Sequence, residues 1–158
     1  LSEIAIVTAA GAEEIEAARR LFIEYQCWLG VDLCFQGFEQ ELRDLPGAYG
    51  PPLGRLLLAR VGMEAIGCVA LRPVAQPGSC EMKRLYVRDS HRGLGLGRRL
   101  AERIITEARF QGYRRMVLDT LEKMHSALSL YRALGFQATD AYYCNPLPGV
   151  IYLALDLS

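Results

Sequence analysis

The spacing of apolar residues changes period repeatedly along the chain, and each change marks an element. Ile4 to Thr8 alternates weakly and predicts a first strand. After Ala9-Ala10-Gly11, the residues Ile15, Ala18, Phe22 and Tyr25 recur at helical spacing, which predicts an amphipathic helix over Ala12 to Tyr25. Gly30 interrupts the pattern, and Phe35 to Leu42 restores it as a short second helix, with Asp32 as a candidate N-cap. Leu45 to Gly54 holds three prolines and three glycines and reads as a loop of restricted shape within one domain. Leu56 to Val61 and Ala65 to Arg72 are apolar runs joined by Gly62-Met63-Glu64, the spacing of a hairpin. Cys80 to Val87 completes an antiparallel meander.

A helical stripe then returns as Leu96, Leu100, Ile104 and Ala108, ending near Gln111-Gly112. Met116 to Thr120 predicts a short buried strand, and Met124 to Leu134 another helix with Ala127, Leu128, Tyr131 and Leu134 on one side. Phe136 to Cys144 and Val150 to Leu157 predict two final strands, separated by the turn at Asn145 to Gly149. The order β-α-α-β-β-β-α-β-α-β-β describes one α/β domain over residues 1–158: a mixed, mostly antiparallel sheet of about seven strands with helices on both faces, three layers in all.

Formal net charge is zero, which argues against nucleic acid as a partner. Basic residues nevertheless cluster locally, at Lys83, Arg84, Arg88, Arg92, Arg98, Arg99 and Arg103, as for a local anion site. Five cysteines are scattered without a C-x-x-C pair, so neither a disulfide framework nor a metal site is expected. The beginning of the chain has no basic region followed by a long apolar run, and no stretch approaches a membrane span; a cytoplasmic protein with no membrane contact is the expectation.

The stretch Glu81 to Leu100 carries the chemistry. A β-favouring segment, Leu85-Tyr86-Val87, runs into Arg92-Gly93-Leu94-Gly95-Leu96-Gly97-Arg98 and then into a helix. Strand, glycine turn and helix together present bare main-chain N–H groups at a positive helix N-terminus, a natural phosphate site, and glycine lets the oxygens approach. A dinucleotide-binding domain would place this turn after the first strand, with an acid at the end of the next. Asp119 meets the second condition, but the meander before the turn breaks the first. A Walker-type loop would need Gly-Lys-Ser/Thr, and Gly97-Arg98-Arg99 lacks it.

With these residues in view, the chain resembles the GCN5-related N-acetyltransferase superfamily. The family signature Arg/Gln-x-x-Gly-x-Gly/Ala matches Arg92, Gly95 and Gly97, and its preceding Leu-x-Val strand matches Leu85-Tyr86-Val87. Its later Ala-x-x-Leu-Tyr-x-x-x-Gly-Phe pattern matches Ala127, Leu130, Tyr131, Gly135 and Phe136. The resemblance implies transfer of an acetyl group from acetyl-CoA to a primary amine, by direct attack and without a metal. It implies that Leu85, Tyr86 and Val87 pair with the pantetheine arm on a strand splayed from its neighbour, and that residues Arg92 to Arg98 hold the pyrophosphate. Tyr131 takes the family's position for the acid that protonates the leaving thiolate. Many relatives carry an asparagine three residues before the alanine; here it is Met124, so the arm is held without that contact or Ser126 replaces it.

Glu81 and Asp119 are the candidate bases for the incoming ammonium. Strand alternation places Glu81, Lys83, Leu85 and Val87 on one face unless a bulge intervenes. Aromatic residues in Tyr25 to Cys34, in the Pro/Gly loop and around Tyr142, Tyr143 and Asn145 suggest an apolar wall, suited to a small-molecule amine acceptor better than to a basic protein tail. A homodimer through the edge of the final hairpin is left open. The reading from another class is a module that binds acyl-CoA as a sensor or docking domain without catalysis.

Overall fold

A computed structural model describes residues 3–158. Seven strands form one sheet in the order β1-β2-β3-β4-β5-β7-β6. They are β1 (Ile4–Thr8), β2 (Arg55–Val61), β3 (Glu64–Pro73), β4 (Ser79–Val87), β5 (Arg115–Leu121), β6 (Gln137–Ala138) and β7 (Val150–Asp156). All neighbours are antiparallel except β4 and β5, which are parallel because helix α3 (Leu96–Phe110) crosses between them. Helices α1 (Ala12–Leu29) and α2 (Phe38–Asp44) cover one face, and α3 with α4 (His125–Ala133) the other.

Because both faces are covered, the central strands are buried on both sides, and Leu56, Leu57, Leu58 and Ala59 are sealed in succession. The α3 stripe Leu96, Leu100, Ile104 and Ala108 packs on Leu57, Val69, Met82 and Val87. The opposite core joins Ala18, Leu21 and Phe22 of α1 to Phe38, Tyr49, Leu58 and Cys68.

Three local expectations are revised. Helix α1 continues to Leu29, where Gly30, at φ 75°, caps it; Tyr25 is therefore one turn inside the helix rather than at its end. Asp32 does not cap α2. Its carboxylate accepts from the Cys34 N–H at 2.9 Å in a local turn, and α2 begins only at Phe38. The expected strand from Phe136 to Cys144 shrinks to Gln137–Ala138. Beyond it, tyrosine side chains replace the ladder: the Tyr152 hydroxyl donates to the Tyr143 carbonyl at 2.9 Å and accepts from the Asn145 N–H at 3.1 Å.

The feature that positions everything else is a bulge in β4. Ala70 faces Lys83 but Cys68 faces Tyr86, so Arg84 and Leu85 together oppose Val69 alone. Arg84 takes φ 62°, a left-handed conformation that costs a non-glycine residue about 1–3 kcal/mol. A buried clamp offsets this cost. Arg84 donates from Nε and Nη2 to the Glu41 carboxylate at 2.9 and 3.0 Å, and its guanidinium lies 5.0 Å from the Phe38 ring centre. Truncating Glu41 to alanine would leave a buried guanidinium unpaired and is expected to cost about 3 kcal/mol in urea unfolding. An effect under about 1 kcal/mol would show that the clamp does not hold the bulge.

The bulge also settles the alternation. Glu81 and Lys83 remain on the α1 face, whereas Leu85 and Val87 pass to the α3 face. The four residues do not share one side.

Candidate active site

Strands β4 and β5 pair only over Ser79–Arg115, Cys80–Met116 and Glu81–Val117, and then diverge. The splay expected from the sequence is present, and the bulge follows it directly. A cleft opens between the strands, lined by Lys83, Arg84 and Leu85 of β4 and by Leu118, Asp119 and Thr120 of β5. Tyr25, Trp28, Leu33 and Gln36 wall one side, and Met124, Ala127, Tyr131 and Asn145 the other.

At the end of β4 lies the glycine turn. The main-chain N–H groups of Gly93 to Arg98 donate to no other described residue, and Arg99 is the first to bond back, to Gly95 O at 3.1 Å. Gly93 and Gly95 have φ 80° and 74°, so the turn itself needs glycine there. Gly97 has no such requirement, and a Cβ built on it would meet nothing within 4 Å. The open space above these amides is a cradle that side chains would fill.

Most of the basic cluster is already paired with acids, and only Lys83 and Arg99 lack one among the described residues. Arg84 pairs with Glu41, Arg88 with Glu24 and Glu64, Arg92 with Asp89, Arg98 with Glu102, and Arg103 with Glu107. Arg92 turns back toward the strand: its Nε donates to Val87 O at 2.8 Å and its guanidinium lies 4.5 Å from the Trp28 ring centre. Any anion at the turn would therefore rest chiefly on main-chain amides. Leu96 anchors α3 in the core, while Leu94 is exposed and makes no core contact.

Tyr131 and Asp119 both reach the cleft. The Tyr131 hydroxyl is not sealed from the cleft, and its ring packs 5.7 Å from that of Phe136. Burial pushes its pKa up, and Tyr25 and Asp119 push the same way, so it stays a proton donor through neutral pH. Asp119 accepts from the Tyr143 hydroxyl and from Asn145 Nδ2, the latter at 2.7 Å. Burial first, then the bond to Asp119, raises the Tyr143 pKa, so that phenol too remains a donor.

Glu81 is buried but outside the cleft lining, and both its oxygens are engaged: Arg72 Nε donates to one at 2.8 Å and the Tyr142 hydroxyl to the other at 2.5 Å. The Pro/Gly loop also stays outside the cleft; Tyr49 instead fills the core against Phe22, with ring centres 6.0 Å apart. Met124 lines the cleft in the position discussed above, whereas Ser126 is exposed and takes no part in the lining.

Lys83 was legible only as one charge in a cluster. It is 5% exposed and donates to Gln36 Oε1 at 3.0 Å. Burial and the neighbouring Arg84 push its pKa down to about 8, against a partial counter-effect from Glu81 and Asp119. The unfolded lysine titrates near 10.4. Between these values the unfolded chain binds more protons, so stability rises with pH there, and the penalty is fully present below about 8. Lys83→Met is accordingly expected to raise the Tm at pH 7, with the gain shrinking toward pH 10; a fall in Tm at both pH values would contradict this.

Residues 16–136 match the family model described as the acetyltransferase (GNAT) family. The chain belongs to that family. An uncharacterized N-acetyltransferase of Schizosaccharomyces pombe is 44% identical over 158 residues, covering 99% of this chain and 97% of the relative. A GNAT-family acetyltransferase from Staphylococcus aureus superposes with a TM-score of 0.81 at 19% identity, covering 99% of this chain and all of that one. A Salmonella typhimurium protein named as an acetyltransferase, solved with its cofactor acetyl-CoA, gives a TM-score of 0.70 at 22% identity, covering 99% and 95%. These two solved structures share the fold. The GNAT chain described above is an acyl-CoA-dependent acetyltransferase. Among the described residues no helix is long and apolar enough to cross a membrane, and no cluster of His, Cys, Asp or Glu could hold a metal ion.

Proposed function

We propose that this enzyme acetylates the primary amine of a small molecule by direct attack on acetyl-CoA in a ternary complex, all within a single domain. The observation that carries the reading is a series of groups left without protein partners. They are the unbonded amides of Gly93 to Arg98 and the unpaired edge of β4, with the Tyr131 phenol and the Asp119 carboxylate in the cleft.

In this reading the pyrophosphate lies on the amides of residues 93–98, favoured by the positive end of α3; the Arg92 N–H, expected in the same cradle, already donates to Asp89 O at 3.3 Å. The pantetheine amides pair with the main chain of Leu85, Tyr86 and Val87, which the splay leaves without a β5 partner. A main-chain N–H near Val87 polarises the thioester carbonyl as negative charge develops on its oxygen. The acceptor nitrogen attacks the carbonyl carbon, forming the C–N bond; the C–S bond breaks and the thiolate leaves. Asp119 takes the ammonium proton, directly or through water; Tyr131 gives its proton to the sulfur and is restored by the second proton that the nitrogen sheds as the amide forms. Asp119 is preferred over Glu81 because it faces the cleft, whereas Arg72 and Tyr142 hold Glu81 from both sides.

Incubation with acetyl-CoA and a panel of small amines, following free thiol and acetylated product together, tests this. Amine-dependent thiol release is expected. Thiol release no faster with any amine than without, in protein that binds acetyl-CoA, would favour a non-catalytic acyl-CoA module instead.

A further inference from the structure

The cleft contains two opposite charges that are held apart. Lys83 Nζ spends one donor on Gln36 Oε1 at 3.0 Å and makes no ion pair with any described carboxylate. Gln36 Nε2 donates to the Tyr143 hydroxyl at 2.9 Å, and that hydroxyl donates to Asp119 Oδ2. An amide and a phenol thus separate ammonium from carboxylate on one hydrogen-bonded chain, and Lys83, Gln36 and Asp119 all line the same cleft. The other nearby acid, Glu81, is bonded to Arg72 and Tyr142, and the other nearby cation, Arg84, is clamped by Glu41. Lys83 therefore keeps spare donors in a buried position, where a lone charge is costly unless something pairs with it.

We propose that the acceptor is an amino carboxylic acid, its carboxylate seated on Lys83 and its amino group beside Asp119. This rests on the amine-acetylation reading and names the substrate class of that site. A simple alkylamine would leave Lys83 unpaired, and a polyamine or a lysine-rich peptide would bring a second cation toward it. A zwitterion supplies both charges in the complementary order, with its side chain free to lie against Tyr25, Trp28 and Leu33.

Matched pairs test it: L-methionine and L-phenylalanine against their primary amides, titrated calorimetrically into CoA-loaded protein, with turnover followed in parallel on acetyl-CoA. The amides have less basic amino groups, so intrinsic reactivity favours them, and a preference for the acids reports recognition. At least one acid is expected to bind about tenfold or more tighter than its amide, the worth of one charged hydrogen bond. Lys83→Met should bring the ratio to about one, and Lys83→Arg, which keeps the cation, should preserve most of it. Acid and amide binding alike in the wild type, or a ratio untouched by Lys83→Met, overturns the proposal, as does acetylation of some other amine while neither acid binds. Selective binding of the acids without any thiol release would leave the Lys83 assignment standing and sink the acetylation reading.

Discussion

Tyr131→Phe is expected to lower kcat about a hundredfold or more, the usual scale for losing a positioned general acid, with the KM for acetyl-CoA nearly unchanged. The phenol lines the cleft, and burial keeps it protonated at the pH where an amine can attack. Phenylalanine retains the ring packing on Phe136, so the fold has no reason to respond. The loss should be smallest for acyl donors whose thiols are most acidic, because a better leaving group needs its proton less. Steady-state rates of wild type and variant, with melting curves as a control, decide it. Turnover within about twofold of wild type would remove Tyr131 from the mechanism.

Gly97→Leu is expected to weaken acetyl-CoA binding about a hundredfold while the melting temperature holds or rises. Glycine inside a helix is worse than leucine by roughly 1 kcal/mol, so stability alone would favour the substitution. A new Cβ would meet no atom of the chain within 4 Å, and Gly97 has no left-handed φ to defend. What it would meet is a phosphate resting on the amides. Losing two charge-assisted bonds of about 1.5 kcal/mol each gives the stated factor. Gly93 and Gly95 cannot serve as this control, because any side chain there strains the turn itself. Calorimetric titration with CoA alongside thermal melts separates the two effects. Unchanged affinity would mean that the diphosphate sits elsewhere.

These two predictions rest on features of very different legibility. The glycine turn, the α3 stripe and the strand before them are local patterns, and their physical cause is local: backbone freedom and a single apolar face. They were therefore readable, as was the splay, once two motifs framed β4 and β5. A bulge in this strand was allowed for, but its place at Arg84 was not readable. It depends on a partner more than forty residues away, Glu41, and nothing in the alternation of β4 announces it. That one inserted residue then moved Leu85 and Val87 to the opposite face from Glu81.

The site's polar residues divide in the same way. Tyr131 was found through the motif around it. Asp119 was found only as a strand-end acid, and its choice over Glu81 came from which carboxylate faces the cleft. Lys83, Gln36, Tyr143 and Asn145 become a unit only when three distant segments meet, and none stands at a spacing that would single it out. The basic cluster is largely neutralised for a related reason. Its arginines are close in sequence, but all except Arg99, which donates to the Ile4 carbonyl, find an acid in space or one helical turn away.

The most direct measurement is of the amides themselves: an ¹H–¹⁵N correlation titration of the protein with CoA, reading the resonances of Gly93 to Arg98. Large downfield proton shifts confined mainly to that turn and the free edge of β4 are the expected result, since each N–H would donate to a phosphate oxygen. Saturating CoA that shifts other resonances and leaves those of Gly93, Gly95 and Gly97 in place would contradict the account.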